Sequence, residues 1–140
     1  MKEICRAYKF RIYPDAEQKV NLARTFGSVR FVYNWALDLK TKSYKQDIKL
    51  NAGQLSAAIT ALKKTEEFCW LKEVSSVCLQ QSLMNLDVAY KNFFKGQNKH
   101  PTFKKRSNTQ SARYASSAFT FKDNKLTLAK HKKPLKMKIT

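Results

Sequence analysis

Glycine and proline are scarce, three of each in 140 residues, which excludes collagen-like, linker-like and low-complexity chains. The three cysteines, Cys5, Cys69 and Cys78, are odd in number and show neither C-x-x-C nor C-x-C spacing, so no redox motif or metal knuckle is expected. Each reads as a buried, reduced, structural thiol. His100 and His131 stand apart from one another and from every cysteine at spacings that suit no zinc pattern. No stretch approaches 18 apolar residues, and Met1-Lys2-Glu3-Ile4 lacks the apolar run of a secretion signal. The expected compartment is therefore the cytoplasm.

Negative charge is also scarce. Lys+Arg number 28 against Asp+Glu 10, a formal charge of +18. Solubility of a small domain needs only about 2 to 8 units, so a polyphosphate partner is the simplest reading. Residues 1–90 carry 14 Lys/Arg against 9 acids, whereas residues 91–140 carry 14 against the single Asp123. Cations placed this way release counterions from nucleic acid, giving affinity that falls steeply with salt and has no sequence preference of its own. A membrane surface would require a basic amphipathic helix, and the C-terminal run lacks helical periodicity. With 43% hydrophobic and 12% aromatic residues, the chain has the large side chains that a folded core requires.

Ala7-Tyr-Lys-Phe-Arg-Ile-Tyr13 alternates apolar Tyr8, Phe10 and Ile12 with Lys9 and Arg11, the period of a half-buried strand. Pro14 ends it, and Asp15 with Gln18 reads as a capping box. Val20, Leu22, Ala23 and Phe26 then form a first helix that Gly27 can close. A second helix from Ser28 carries Phe31, Val32, Trp35, Ala36 and Leu39 on one face. Helix, glycine turn and helix give the outline of a helix-turn-helix. An ordinary helical hairpin is the alternative, since Arg30, Lys40 and Lys42 do not cluster at the second helix's start as base-reading residues would.

Asn51 with Gln54 is another capping box, and Leu55, Ala58, Ile59 and Leu62 follow on one face. Ser75 or Ser76 can cap a fourth helix, in which Leu79, Leu83, Leu86, Tyr90 and Phe93 recur until Gly96. Residues 97–110 form a polar, basic loop. Phe119-Thr-Phe121 and Leu126-Thr-Leu128 alternate around Lys122-Asp-Asn-Lys125 as a hairpin, and Leu135, Met137 and Ile139 alternate with Lys136 and Lys138. The expected fold class is α+β: a four-helix bundle with a helix-turn-helix-like start, inserted into a small antiparallel sheet or partial barrel.

No catalytic centre is visible. Asp38, Asp47, Glu66, Glu67 and Glu73 read as solvated surface charge, and Asp87 as a partner for Lys91. Neither a Ser-His-Asp arrangement nor a glycine-rich phosphate loop is present. Binding is better supplied. Lys9 and Arg11 on the strand, Lys104, Lys105 and Arg106 in the loop, and Arg113 with Tyr114 beyond it interleave cations with an aromatic ring, as a groove tracking a nucleic-acid backbone would. Trp35, Phe31, Tyr33 and Phe93 read as core.

Several ordered blocks carry a resemblance: Tyr8-Lys-Phe-Arg-Ile-Tyr-Pro14, Glu17-Gln18, Phe26-Gly27, Arg30-Phe-Val-Tyr-Asn-Trp-Ala-Leu37, Leu79 through Tyr90 with Phe93-Phe94, and Pro101-Thr-Phe-Lys-Lys105. Together they resemble the N-terminal part of the TnpB (OrfB) proteins of insertion sequences. Thr102 stands where that family often has Lys, and Ala129 where a Leu-Pro-Lys motif is common. The resemblance implies that residues 1–14 and 111–140 belong to a wedge-like sheet domain and residues 15–96 to a helical recognition domain, with the basic loop at 97–110 between them. It implies guide RNA and DNA as partners of an RNA-guided DNA endonuclease. Magnesium and zinc, with three catalytic acids, are expected in a downstream part, so this chain is expected to bind without cleaving and to hold no cofactor. The alternatives are an autonomous helix-turn-helix regulator or transposon-end binder, and a structural RNA-binding protein of ribosomal type.

Overall fold

Asp15 sets the first helix. Its carboxylate accepts the Gln18 backbone N–H at 2.8 Å while the Gln18 side-chain oxygen accepts the Asp15 N–H at 2.9 Å, a reciprocal box that satisfies two otherwise orphaned donors. From there helix α1 runs unbroken over Ala16–Tyr44 in the computed structural model, which describes residues 6–139. Cys5 and the start of the chain lie outside the described residues. The expected stop at Gly27 does not occur: the glycine sits inside α1 and does not adopt a positive φ. Its lack of a side chain costs a helix interior only about 1 kcal/mol. Val29, Val32, Tyr33, Ala36 and Leu37 continue into the core beyond it, and the Ser82 hydroxyl donates to the Val29 carbonyl at 3.0 Å. Two expected helices are thus one, and the described residues hold three α-helices.

Helix α2 spans Ala52–Lys63 behind the expected Asn51/Gln54 box. A 3-10 turn at Cys69–Glu73 buries Leu71 and leads into helix α3, Ser76–Phe94. Ser75 precedes α3 without a side-chain capping bond. At the other end Gly96 takes φ 76°, and the N–H groups of Gly96 and Gln97 donate to Phe93 and Asn92, both at 3.0 Å. This left-handed closure satisfies two of the last carbonyls. The predicted stripe is the core: Leu79, Leu83, Leu86 and Tyr90 are buried against Val32, Ala36, Leu37, Leu55, Ile59 and Leu71. Each such side chain contributes about 1.5 to 3 kcal/mol on burial. Cys78 lies in this core, where burial raises its thiol pKa. Cys69, expected to be buried, is exposed and donates to the Glu66 carbonyl.

Strand β1, Phe10–Tyr13, pairs antiparallel with the last strand, β4, Lys136–Ile139. Between them in sequence, β2 (Phe119–Lys122) and β3 (Lys125–Leu128) make the expected hairpin. Asp123 and Asn124 at its tip have φ of 53° and 60°, the mirror-image turn whose twist matches the flanking strands. Among the described residues one bridge, Leu126 to Leu135, joins the two ladders. The class is α+β as expected, but the strands form two linked two-stranded ladders with no barrel closure among the described residues. β1 is also shorter and more peripheral than its alternation suggests: Tyr8 is 73% exposed, and on its apolar side Phe10 meets the Phe121 ring at 6.1 Å.

Sheet and helices meet at the start of α1, where the Gln18 side-chain amide donates to the carbonyls of Lys133 and Pro134, both at 3.1 Å. His131 is buried in the same connection. Burial lowers its pKa, with the Asp15 and Glu17 carboxylates opposing that shift.

The unbroken α1 has a direct test. A Cβ at position 27 would meet only the Arg30 guanidinium, at 3.9 Å. Gly27→Ala is expected to raise unfolding stability by about 0.5 to 1 kcal/mol, measured by urea denaturation. A loss of stability would show that the glycine makes a turn there.

Candidate nucleic-acid interface

Pairing β1 with β4 fixes which cations gather. Side chains alternate between faces, so the register Arg11↔Lys138 and Tyr13↔Lys136 puts Arg11, Tyr13, Lys136 and Lys138 on one face. The Lys138 ammonium lies 5.9 Å from the Tyr13 ring centroid. Lys9 precedes this strand on the same alternation and is exposed. Tyr13, Lys136 and Lys138 continue into a depression of about 760 Å³, shared with Lys125, Lys133 and the hairpin residue Asn124. Among the described residues no carboxylate lines it. Arg11 and Lys138 stand directly opposite each other, an arrangement that destabilises a sheet unless an anion intervenes.

The basic loop is built, not loose. The Asn34 amide donates to the Lys104 carbonyl at 2.9 Å and accepts the Lys104 N–H at 2.6 Å. Gln110 turns back to donate to the Asn108 carbonyl at 2.7 Å and, more weakly, to those of Lys105 and Arg106. The Arg30 guanidinium holds the Gln110 side-chain oxygen at 2.7 Å. Helix α1 therefore fixes both ends of residues 104–110, leaving Lys105 and Arg106 exposed. Lys104 is exposed too, but its ammonium sits 4.8 Å over the Tyr33 ring, an attraction to the negative ring face.

Arg113 is exposed on the stretch leading to β2. Tyr114 is placed differently from the other expected residues. Its ring packs against the helical core, and burial pushes its pKa up to about 12 despite a hydrogen bond to Thr25. The structure thus brings Arg11 together with the β4 lysines and groups Lys104, Lys105 and Arg106 on a braced loop. It sets Tyr114 against the core.

Three acids of the helical part are paired. Asp38 pairs with Lys42 at 2.9 Å, Asp87 with Lys91 at 3.0 Å as expected, and Glu73 with Arg24 at 3.7 Å. Among the described residues no three His, Cys, Asp or Glu side chains gather so as to hold a metal ion, and no helix is long and apolar enough to cross a membrane. His100 packs edge-on to the Tyr90 and Phe93 rings, at 5.3 and 5.1 Å.

Residues 1–49 match the family described as the helix-turn-helix domain of insertion-sequence OrfB proteins. A Streptomyces pristinaespiralis protein named "Putative RNA-guided DNA endonuclease" is 48% identical over 137 residues, which is 96% of this chain and 34% of the relative. Escherichia coli "Putative RNA-guided DNA endonuclease InsQ" is 36% identical over 110 residues, 78% of this chain and 27% of its own length. The Salmonella dublin virulence protein VsdF is 38% identical over 111 residues, 72% of this chain and 93% of that protein. The chain belongs to the TnpB (OrfB) family. It spans about a third or less of the two relatives named for endonuclease activity. The stretch that the family describes as helix-turn-helix holds here one strand and the whole of the unbroken helix α1.

Lys138→Glu separates folding from binding on the β1–β4 face. Opposite Arg11 it should raise stability at low salt by about 0.2 to 1 kcal/mol while weakening nucleic-acid affinity. Thermal melts and a filter-binding titration check both signs, and unchanged affinity would remove this face from the interface.

Proposed function

We propose that this chain is a nucleic-acid-binding unit of an RNA-guided DNA endonuclease system, contacting guide RNA and target DNA through the β1–β4 face and the braced basic loop. The observation that carries the reading is the joining, by chain ends more than 120 residues apart, of a cationic face that no carboxylate lines among the described residues, in a family member whose longer relatives are named for RNA-guided cleavage. In such systems base pairing reads most of the sequence, while protein recognises backbone shape and a short flanking motif. A surface of lysines with few fixed partners suits the backbone part of that task, because phosphate contacts position a strand without specifying its bases. Cleavage, in this reading, belongs to portions of the longer relatives with which this chain does not align.

An autonomous helix-turn-helix binder of duplex DNA would need a second helix turned away from the first. Helix α1 offers no such break, which favours the sheet and loop over a groove-reading helix.

Competition binding with structured RNA, duplex DNA and single strands across a salt series tests the proposal. The triple substitution Lys104→Ala, Lys105→Ala and Arg106→Ala should weaken binding to all three alike and reduce the slope of log K against log salt by about 2 to 3. An unchanged slope would exclude the loop, and a duplex preference with half-site specificity would contradict the guided reading.

A further inference from the structure

The end of α1 remote from the sheet, about 40 Å along the helix from Ala16 at 1.5 Å per residue, carries a second concave site. A pocket of about 230 Å³ opens between the last turns of α1 and α3 and the turn that follows α1. Its walls are aromatic. Phe94 lies near-parallel to Tyr90 at 6.0 Å and meets the Tyr44 ring, tilted, at 5.5 Å. Phe94 is 57% exposed, and Tyr44 and Ile48 are each 49% exposed, so three large apolar side chains surround one opening and leave it uncovered.

The frame of the pocket is fixed. Asp47 takes φ 60°, and the Ile48 N–H donates to the Ser43 carbonyl at 2.9 Å. The Lys40 ammonium donates to the Leu50 carbonyl at 2.7 Å, lies 5.1 Å over the Tyr90 ring and faces Asp87 at 3.9 Å. Lys40 is thereby committed to the floor. Lys49 is exposed at the lining. With Lys40 turned toward Asp87, Lys49 is the exposed cation at the opening, and no carboxylate lines the pocket among the described residues, so the rim beside Lys49 favours an anion while the rings favour a flat apolar surface. A volume below the roughly 300 Å³ lower bound for drug-sized ligands suits a single ring system.

We propose that this pocket receives one unpaired nucleobase of a bound single strand, stacked on Phe94 and Tyr44, with its phosphate beside Lys49. The proposal rests on the nucleic-acid-binding reading above and adds a second contact point that holds a base where the sheet and loop hold backbone. Stacking of this kind is indifferent to base identity, because every base has a π-face.

The test uses the whole chain and oligonucleotides bearing one 2-aminopurine, whose fluorescence falls on stacking. The unsubstituted chain should quench the probe in a single strand. Tyr44→Ala and Phe94→Leu should relieve the quenching and weaken single-strand binding about 5- to 150-fold, with duplex affinity held within about twofold. Phe94→Trp should preserve both signals, and Lys49→Glu, at an exposed site that cannot upset the core, should weaken single-strand binding. Quenching and affinity unchanged in Tyr44→Ala, Phe94→Leu and Lys49→Glu would overturn the pocket proposal while leaving the sheet and loop reading intact. Full binding by Phe94→Leu with loss in Phe94→Ala would overturn it in favour of an apolar side chain from a protein partner. No binding of any nucleic acid by the unsubstituted chain would overturn both readings.

Discussion

The side-chain amide of Gln18 joins the two halves of this molecule. One part of the side chain completes the cap of α1 through Asp15, and the other donates to the carbonyls of Lys133 and Pro134. That anchorage holds the residues entering β4, and β4 in turn gives β1 its only ladder partner among the described residues. A lone edge strand leaves a row of unpaired backbone groups, so the register of the cationic face depends on a helix cap. Opposed like charges at Arg11 and Lys138 are tolerable because the fold's stability is generated elsewhere, in the apolar seam between α1, α2 and α3.

This division of labour explains the distribution of charge. On the helices, Asp87 pairs with Lys91 and Asp38 with Lys42. The segment after residue 90 carries cations with a single acid, Asp123, placed in a hairpin turn where φ is positive. Such a surface gains from a polyanion what the protein does not supply. Bracing by Asn34, Arg30 and Gln110 keeps the basic loop from losing that gain to ordering entropy when it binds, which is the advantage of preorganisation.

Local signals in the sequence were reliable where they were short-ranged. Both capping boxes, the Leu79-to-Tyr90 stripe, the stop at Gly96 and the hairpin around Asp123 and Asn124 appear as read. Gly27 misled because a glycine serves equally as a stop signal and as an inexpensive interior residue, and only the packing of Val29 through Leu37 decides between them. Pairings such as Arg30 with Gln110, 80 residues apart, have no periodic signature. Tyr114 illustrates the same limit: its basic neighbours suggested a base platform, while its contacts with the core depend on where residues 111–118 return to the helices. Lys136 and Lys138 were visible as an alternation, but their alignment with Arg11 needed the strand register.

The central claim is that the backbone of bound nucleic acid is held by the β1–β4 face and the braced loop and not by the lysines of the helices. Lysine-reactive footprinting read by mass spectrometry, with and without bound RNA, tests it most directly. The account predicts that Lys105, Lys125, Lys133, Lys136 and Lys138 lose reactivity together on binding while Lys19, Lys63 and Lys72 keep theirs. Protection confined to the helical lysines, with the β4 lysines as reactive as in the free chain, would contradict it.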